Sequence, residues 1–350
     1  MNDLYLIGNG FDLAHGLETS YNHFLLWYIN DFLKKSWRQN QFEDKLLILD
    51  RKGFHYDIPT DLKSIQEVFQ SLDNVKCELK PKNDFFNKII KNFRESNWVD
   101  IEYEYFRTMV DFYRVIDLNP HNEKSTIGSV RDLNDCFEIL KLRLIEYLKS
   151  LVIESEKHNQ IIEEILLAGN GPRNNDKGDK LYLYFNYTNT MSLYSDKFSP
   201  KNPVIYIHGK LLDDNNPIIF GYGDEMHPYY EKIENLNSNE FLKNIKSFSY
   251  FKTNNYQRIM RFIGGSHNPF TVKILGHSCG LSDRILLNTI FEHPNCNAIK
   301  IYYYQKSETE NDYFEKTQEI SRHFKSTSKG EMRNKIVSFE RCSPLLPFKE

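Results

Sequence analysis

Cysteine is scarce and follows no pattern. Only five occur, Cys77, Cys136, Cys279, Cys296 and Cys342, odd in number and without a C-x-x-C pair. That excludes a disulfide framework and a paired-cysteine zinc module, and it leads us to expect a reducing, cytoplasmic setting. The histidines lack metal-site spacing: His15, His267 and His277 form no H-x-x-x-H, so no metal is expected. Basic excess is missing too. The 350 residues carry a formal net charge of -3, which does not indicate nucleic acid as a partner. No apolar run approaches the roughly 18–20 residues that cross a bilayer. The first apolar run is preceded by Asp3 rather than by a basic region, so neither a membrane span nor a signal peptide is expected.

What is abundant is aromatic. Hydrophobic residues make up 40% and aromatics 14%, with 25 Phe and 22 Tyr, the composition of a packed globular chain. The organising stretch is Leu4-Tyr5-Leu6-Ile7-Gly8-Asn9-Gly10-Phe11-Asp12-Leu13-Ala14-His15-Gly16. A short apolar run without polar alternation suits a strand buried on both faces, as in a parallel sheet. Glycines at its carboxyl end suit a turn where backbone passes close to something else. In open α/β sheets ligands bind at that edge. The third glycine comes too late for the dinucleotide fingerprint, and Gly-x-Gly alone fits a nucleotide loop and a structural turn equally.

Beyond that strand, periodicity predicts helices over 22–49, 63–75, 83–117 (with a break and restart at an Asn97 cap) and 131–167. Residues 51–62, 119–130 and 168–180 read as loops or turns. Together these suggest a large, mostly helical insertion over 22–167. Strands follow at 181–185, 204–207, 218–220, 271–275 and 298–304, with a short closing strand at 336–339. Helices are expected over 230–263, after a Ser282 cap, and at about 311–328. The first five strands, counting the N-terminal one, each stop at small or polar residues. The expected architecture is a single α/β domain over 1–350, its sheet core built from 1–21 and 180–345, with the strand ends sharing one crevice.

Several strand-end residues carry chemistry. His208 fits a general base and also a hydrogen-bonded histidine at a sheet end. Asn186 fits a residue that orients ribose or water, or one that holds a turn. Asp12 suits ribose hydroxyls or a helix cap. Asp224 and Glu225 suit a cation, a substrate amine or a solvated turn. Gly276-His277-Ser278-Cys279-Gly280 matches Gly-x-Ser-x-Gly, the nucleophile elbow of serine hydrolases, with Asp283, Asp312 and His323 downstream as partners.

The run from Gly8 to Tyr21 resembles the opening signature of the AbiH family, bacterial abortive-infection proteins that act against bacteriophage. Further pieces agree: Trp98 with Glu102, Phe185-Asn186-Tyr187-Thr188, Ile207-His208-Gly209, Phe220-Gly221-Tyr222-Gly223-Asp224, and Gly276-His277-Ser278 with Asp283. Glu18 departs from the pattern, where proline is expected. The motif order is also distantly similar to sirtuin-like NAD-binding domains. Gly8, Gly10 and Gly16 keep their glycine spacing, Asn186 matches their Asn, His208-Gly209 their His-Gly pair, and Gly276-His277-Ser278 their late Gly-Thr-Ser. Asp12 stands for their serine and Thr188 for their aspartate, and their zinc module has no counterpart, which disfavours deacylation.

The resemblance implies a Rossmann-like parallel sheet of the sirtuin/DHS type and an antiphage effector that hydrolyses NAD. His208 and Asn186 would be catalytic. Gly8, Asn9, Gly10, Phe11, Asp12, Gly16, Tyr21, Thr188, Gly209, Gly276, His277, Ser278 and Asp283 would hold the nucleotide. NAD is the expected substrate or ligand, a phage product the expected trigger, and self-association is compatible with the family. The alternatives are nucleotide sensing without turnover and a serine hydrolase using Ser278.

Overall fold

Tyr5 and Ile7 bury against one set of neighbours and Leu4 and Leu6 against another, so the strand Asn2–Ile7 (β1) has a core on each face. The computed structural model describes residues 1–36, 41–51, 59–96, 99–151, 153, 157–168, 178–265 and 269–348. Trp98, the expected Asn97 cap, His267 and most of the 168–180 loop lie outside them. Among the described residues, the other strands are β2 (Gln41–Glu43), β3 (Leu47–Arg51), β4 (Cys77–Pro81), β5 (Lys180–Tyr184), β6 (Val204–Tyr206), β7 (Phe270–Leu275), β8 (Cys296–Tyr303) and β9 (Ser343–Pro344). The chain divides into two units. One comprises Met1–Leu17, Leu151–His227 and Ile245–Glu350; the other comprises Glu18–Ser150 and Pro228–Asn244.

The first unit is a mixed α/β structure on a six-stranded sheet of order β6-β5-β1-β7-β8-β9, parallel throughout. One face packs Leu4, Leu183, Val272 and Ile301 against Ile259 and Ile263, Leu286 and Ile290, and Ile320 from three helices, Asn255–Gly264, Arg284–Phe291 and Tyr313–His323. The other packs Tyr5, Tyr182 and Tyr184 against Phe11, Ile162, Leu166 and Tyr194. Each such fully buried apolar side chain contributes about 1.5–3 kcal/mol. Lys180, at the start of β5, reaches the end of the helix Gln160–Leu167. Its ammonium donates to the Leu166 and Ala168 carbonyls at 2.9 and 2.8 Å, satisfying acceptors that a helix end leaves bare.

Register brings the strand ends level. Ile7 pairs with both Tyr184 and Leu275, and Tyr184 pairs with Tyr206. Gly8, Phe185-Asn186, Ile207-His208 and Gly276-His277 therefore emerge along one edge. The expected strand at 218–220 is not one. Pro217 has no donor, and Ile219 N–H bonds only the His208 carbonyl, at 2.8 Å, beyond the sheet. The expected closing strand at 336–339 is replaced by a helix, Lys329–Lys335, one bridge at Ile336, a 3-10 turn Phe339–Arg341, and then β9. The last long helix stops at His323, before the Ser326–Ser328 turn, and the 230–263 pattern is broken into several short helices. Ser282 does not cap the helix after it: the cap position is Asp283, whose side chain makes no capping bond.

The second unit is helical with a small antiparallel sheet, β2-β3-β4, that periodicity missed. The helix expected over 22–49 ends at Lys35. Asp44 then makes a turn, its Oδ1 accepting from Leu46 and Leu47 N–H, and the apolar run that follows becomes β3. Short apolar runs are ambiguous between helix and strand, and a side-chain turn decided this one. The 119–130 stretch is helical instead of looped, since Glu123–Ser150 is one helix, separated from Gln160–Leu167. The restart after residue 98 is capped by Asp100, which accepts from Tyr103 N–H at 2.9 Å.

Gly276 (φ +66) is fixed by its neighbours. A Cβ there would stand 2.3 Å from Phe11 N and 2.5 Å from Gly10 C. Gly276→Ala is expected to destabilise the chain by about 3 kcal/mol. Gly128→Ala, in a helix with open space around it, is expected to stabilise by up to about 1 kcal/mol. Urea unfolding of the two variants checks the contrast.

Candidate functional site

Four side chains meet beyond the ends of β5, β6 and β7. Asp283, 7% exposed, lies where the loop after β7 turns into a helix, pinned through Gly223 N–H to the Ser282 carbonyl. Its Oδ1 is 2.9 Å from the Lys246 ammonium and 3.0 Å from His208 Nε2, and its Oδ2 is 3.7 Å from His277 Nε2. Lys246 is 1% exposed and His208 5%. Burial by itself would raise the Asp283 carboxyl. Lys246 and the histidines outweigh it and hold the group well below the usual carboxylate range. Burial, reinforced by Lys246, lowers His208, and burial takes His277 down to about 3, so both rings are neutral near pH 7.

The hydrogen bonds fix the histidine tautomers. His277 Nδ1 accepts from Cys279 N–H at 2.9 Å, which leaves its proton on Nε2, facing Asp283. The His208 ring donates to the Phe185 carbonyl. Its Nε2 faces the Asp283 carboxylate, 3.0 Å from Oδ1. Gly209, at φ +87, makes the tight turn after His208, where a Cβ would stand 2.2 Å from the Pro217 carbonyl oxygen.

A family model described as bacteriophage abortive infection AbiH matches residues 4–305. The chain belongs to the AbiH family. No curated protein matches it. Family membership points to abortive infection of bacteriophage, and the match takes in every residue expected to hold or act on the nucleotide.

Several of those residues fall into two groups in this AbiH protein. His208, His277 and Asp283 join the ionic cluster. Asn186 joins the opening loop instead, its amide donating to the Gly8 carbonyl at 3.0 Å. Asp12 faces inward. It is fully buried, accepting from Tyr184 OH at 2.9 Å and Thr188 Oγ1 at 2.6 Å, and burial raises its carboxyl. The Gly8 and Gly10 amides donate to the Leu275 and Gly276 carbonyls at 3.1 and 2.8 Å, and Phe11 N–H donates to Gly8 O. The glycines thus let two loops lie backbone against backbone. Asn9 is exposed at the start of the short helix Asn9–Ala14, and Gly16 ends it at φ +69. Tyr21 opens a helix of the second unit.

Ser278 is exposed, and its hydroxyl accepts from Gly280 N–H; among the described residues no histidine contacts it. His323 instead meets the Cys279 carbonyl at 2.7 Å. The non-glycine residue at positive φ in this pentapeptide is Cys279 (φ 57), a buried thiol pushed up to about 12.

Two participants carried no sequence signal. Lys246 sat within a stretch read as plain helix; it is 1% exposed, and its backbone N–H bonds the Tyr222 carbonyl. Arg284 donates to both oxygens of buried Asp224, at 3.2 and 3.0 Å. Asp224 was weighed for a cation or an amine, and the neighbouring helix supplies its guanidinium. No group of three or more His, Cys, Asp or Glu among the described residues is placed to hold a metal, and no helix there is long and apolar enough to cross a membrane.

Breaking the buried pair by Lys246→Met is expected to cost about 3–5 kcal/mol, and adding Asp283→Leu to recover much of it, because the uncompensated charge goes. Acid should destabilise the chain. The folded state holds His277 at about 3 against its usual 6.5, so in that window the unfolded chain binds a proton that the folded chain refuses. Stability then rises with pH by up to about 1.4 kcal/mol per unit. The depressed Asp283 adds stability that is lost only as pH falls below the ordinary carboxylate range. Urea midpoints across that window should show the slope, reduced in His277→Gln.

Proposed function

We propose that this AbiH chain is an antiphage effector acting on NAD or a related nucleotide, with His208 as the base of an N-glycosidic hydrolysis. The observation that carries the reading is His208, a histidine buried at the carboxyl edge of a parallel sheet with its Nε2 3.0 Å from an ionised carboxylate. A buried ionic cluster is poor stabilising material and clusters of this kind concentrate at functional sites. The edge is also where ligands of open α/β sheets bind. The Rossmann-like, sirtuin-like reading of the sheet rests on the motif order described above.

In the proposed step, water adds to the ribose carbon as the nicotinamide bond breaks. The water proton passes to the His208 ring, and nicotinamide leaves neutral. The imidazolium so formed lies 3.0 Å from Asp283, which stabilises it. Lys246 keeps Asp283 ionised, and His277 orients the carboxylate from its other side. Asn186 ties the β5 end to the opening loop. The Gly8, Gly10 and Phe11 amides are bonded within the protein, so the pyrophosphate is not assigned to them.

Those same bonds, and the burial of His208, favour a second reading in which a nucleotide is sensed without turnover. Incubating the purified chain with NAD, alone and with phage lysate fractions, distinguishes the two. Hydrolysis is expected in an activated sample and is expected to fall by about 10²–10⁴-fold in His208→Ala. Calorimetric binding with NAD intact would support sensing. Unchanged NAD, no binding, and full phage protection by His208→Ala would sink both.

A further inference from the structure

At the free edge of the sheet, beyond β6, a cleft of about 290 Å³ opens between the loop that follows His208 and the start of the helix Asn255–Gly264. Two half-buried cations line it, Lys210 and Arg258. Among the described residues neither pairs with a carboxylate. Lys210 lies over the Tyr206 ring, 5.1 Å from its centroid, and Arg258 Nη1 donates to Asn255 Oδ1 at 3.4 Å. The acid in the cleft, Asp213, is turned to its own loop, where Oδ1 accepts from Asn215 N–H at 3.1 Å.

Other enclosed cations of this unit are matched. Lys246 and Arg284 each face a carboxylate, Lys273 meets Asp3 at 2.7 Å, and Lys180 is satisfied by two helix-end carbonyls. Two unmatched cations in one cleft repel each other, and an anion bound between them removes that repulsion. The walls are held for it. The Asn216 and Asn255 amides both donate to the Tyr206 carbonyl, at 3.0 and 3.3 Å, and Asn255 also reaches Asn216 Oδ1 at 3.2 Å. The Thr253 hydroxyl accepts from Asn255 N–H and keeps its own hydrogen to give.

We propose that this cleft is a binding site for a phosphate group, free or carried by a compact phosphate monoester. A guanidinium, an ammonium and a hydroxyl match the oxygens of a tetrahedral dianion. The volume lies at the bottom of the roughly 300–1,000 Å³ range of small-ligand sites. That admits inorganic phosphate or a sugar phosphate and is too small for a dinucleotide. The proposal uses none of the residues of the His208 cluster, so its outcome is independent of the glycosidic reading.

Calorimetry on the full chain tests it with inorganic phosphate, ribose 5-phosphate and, as the uncharged control, ribose. Saturable binding of a phosphate-bearing probe and none of ribose is expected, weakened about ten-fold or more by Lys210→Gln and by Arg258→Gln. Tighter binding of ribose 5-phosphate than of phosphate assigns the monoester; equal or weaker binding assigns the free anion. A second measurement needs no variant. Acetylation of the Lys210 amine, followed by mass spectrometry, should slow in phosphate while that of exposed Lys201 does not. Binding unchanged in both variants, no saturable binding, or Lys210 acetylation indifferent to phosphate would overturn the proposal.

Discussion

A carboxylate enclosed at the end of a parallel sheet must be matched by positive charge or give up its own. Asp283 is matched by Lys246, and this pairing orders the surrounding side chains. It leaves the carboxylate ionised, and two neutral histidines then occupy the remaining directions. One of them, His277, has its tautomer set by the backbone amide of Cys279. The other, His208, lies between the Phe185 carbonyl and the Asp283 carboxylate. The neighbouring Asp224–Arg284 pair repeats the device one residue further along, so that the helix after the β7 turn begins with charges of both signs, each met by the loops around it.

The sheet makes this convergence possible. β1 sits between β5 and β7, and the chain reaches one side through β5 and β6 and the other through β7, β8 and β9. Loops leaving β1 and β7 therefore run side by side, and only glycine at positions 8, 10 and 276 lets their backbones touch. That contact fixes where His277 and Asp283 stand relative to the end of β5. The buried Asp12, Tyr184 and Thr188 group does similar work on the opposite side of β1, joining the short first helix to the β5 turn.

Much of this was legible. Strands β1, β5, β6 and β7 read directly from apolar runs ending in glycine, asparagine or histidine, and β8 from its apolar run, because a strand covered on both faces leaves little else in its sequence. His208, His277 and Asp283 stood out as polar groups at those ends. Lys246 did not, since a lysine in a helical stretch ordinarily faces water and only the tertiary fold shows that its head is enclosed. The β2-β3-β4 sheet was hidden by an apolar run that suits either a helix or a strand, and the Asp44 turn that separates the two is a side-chain event. The 218–220 segment looked like a strand by composition, yet it follows Pro217, lies past the sheet end, and bonds the His208 carbonyl and the Tyr187 hydroxyl instead of a neighbouring strand. The opening glycines were legible as a close approach. What approaches them is the Gly276 loop, a partner more than two hundred residues away that no local pattern names.

The central claim is that Asp283 is a buried carboxylate held ionised by Lys246, with His208 and His277 arranged around it. Carbon-13 NMR of the Asp283 side chain, assigned by comparison with Asp283→Asn, reads this directly. The carboxyl resonance is expected to stay at its ionised position as pH is lowered through the ordinary aspartate range near about 3.9, moving only when the chain unfolds. An Asp283 carboxyl that protonates at or above that value while the fold persists would contradict the account.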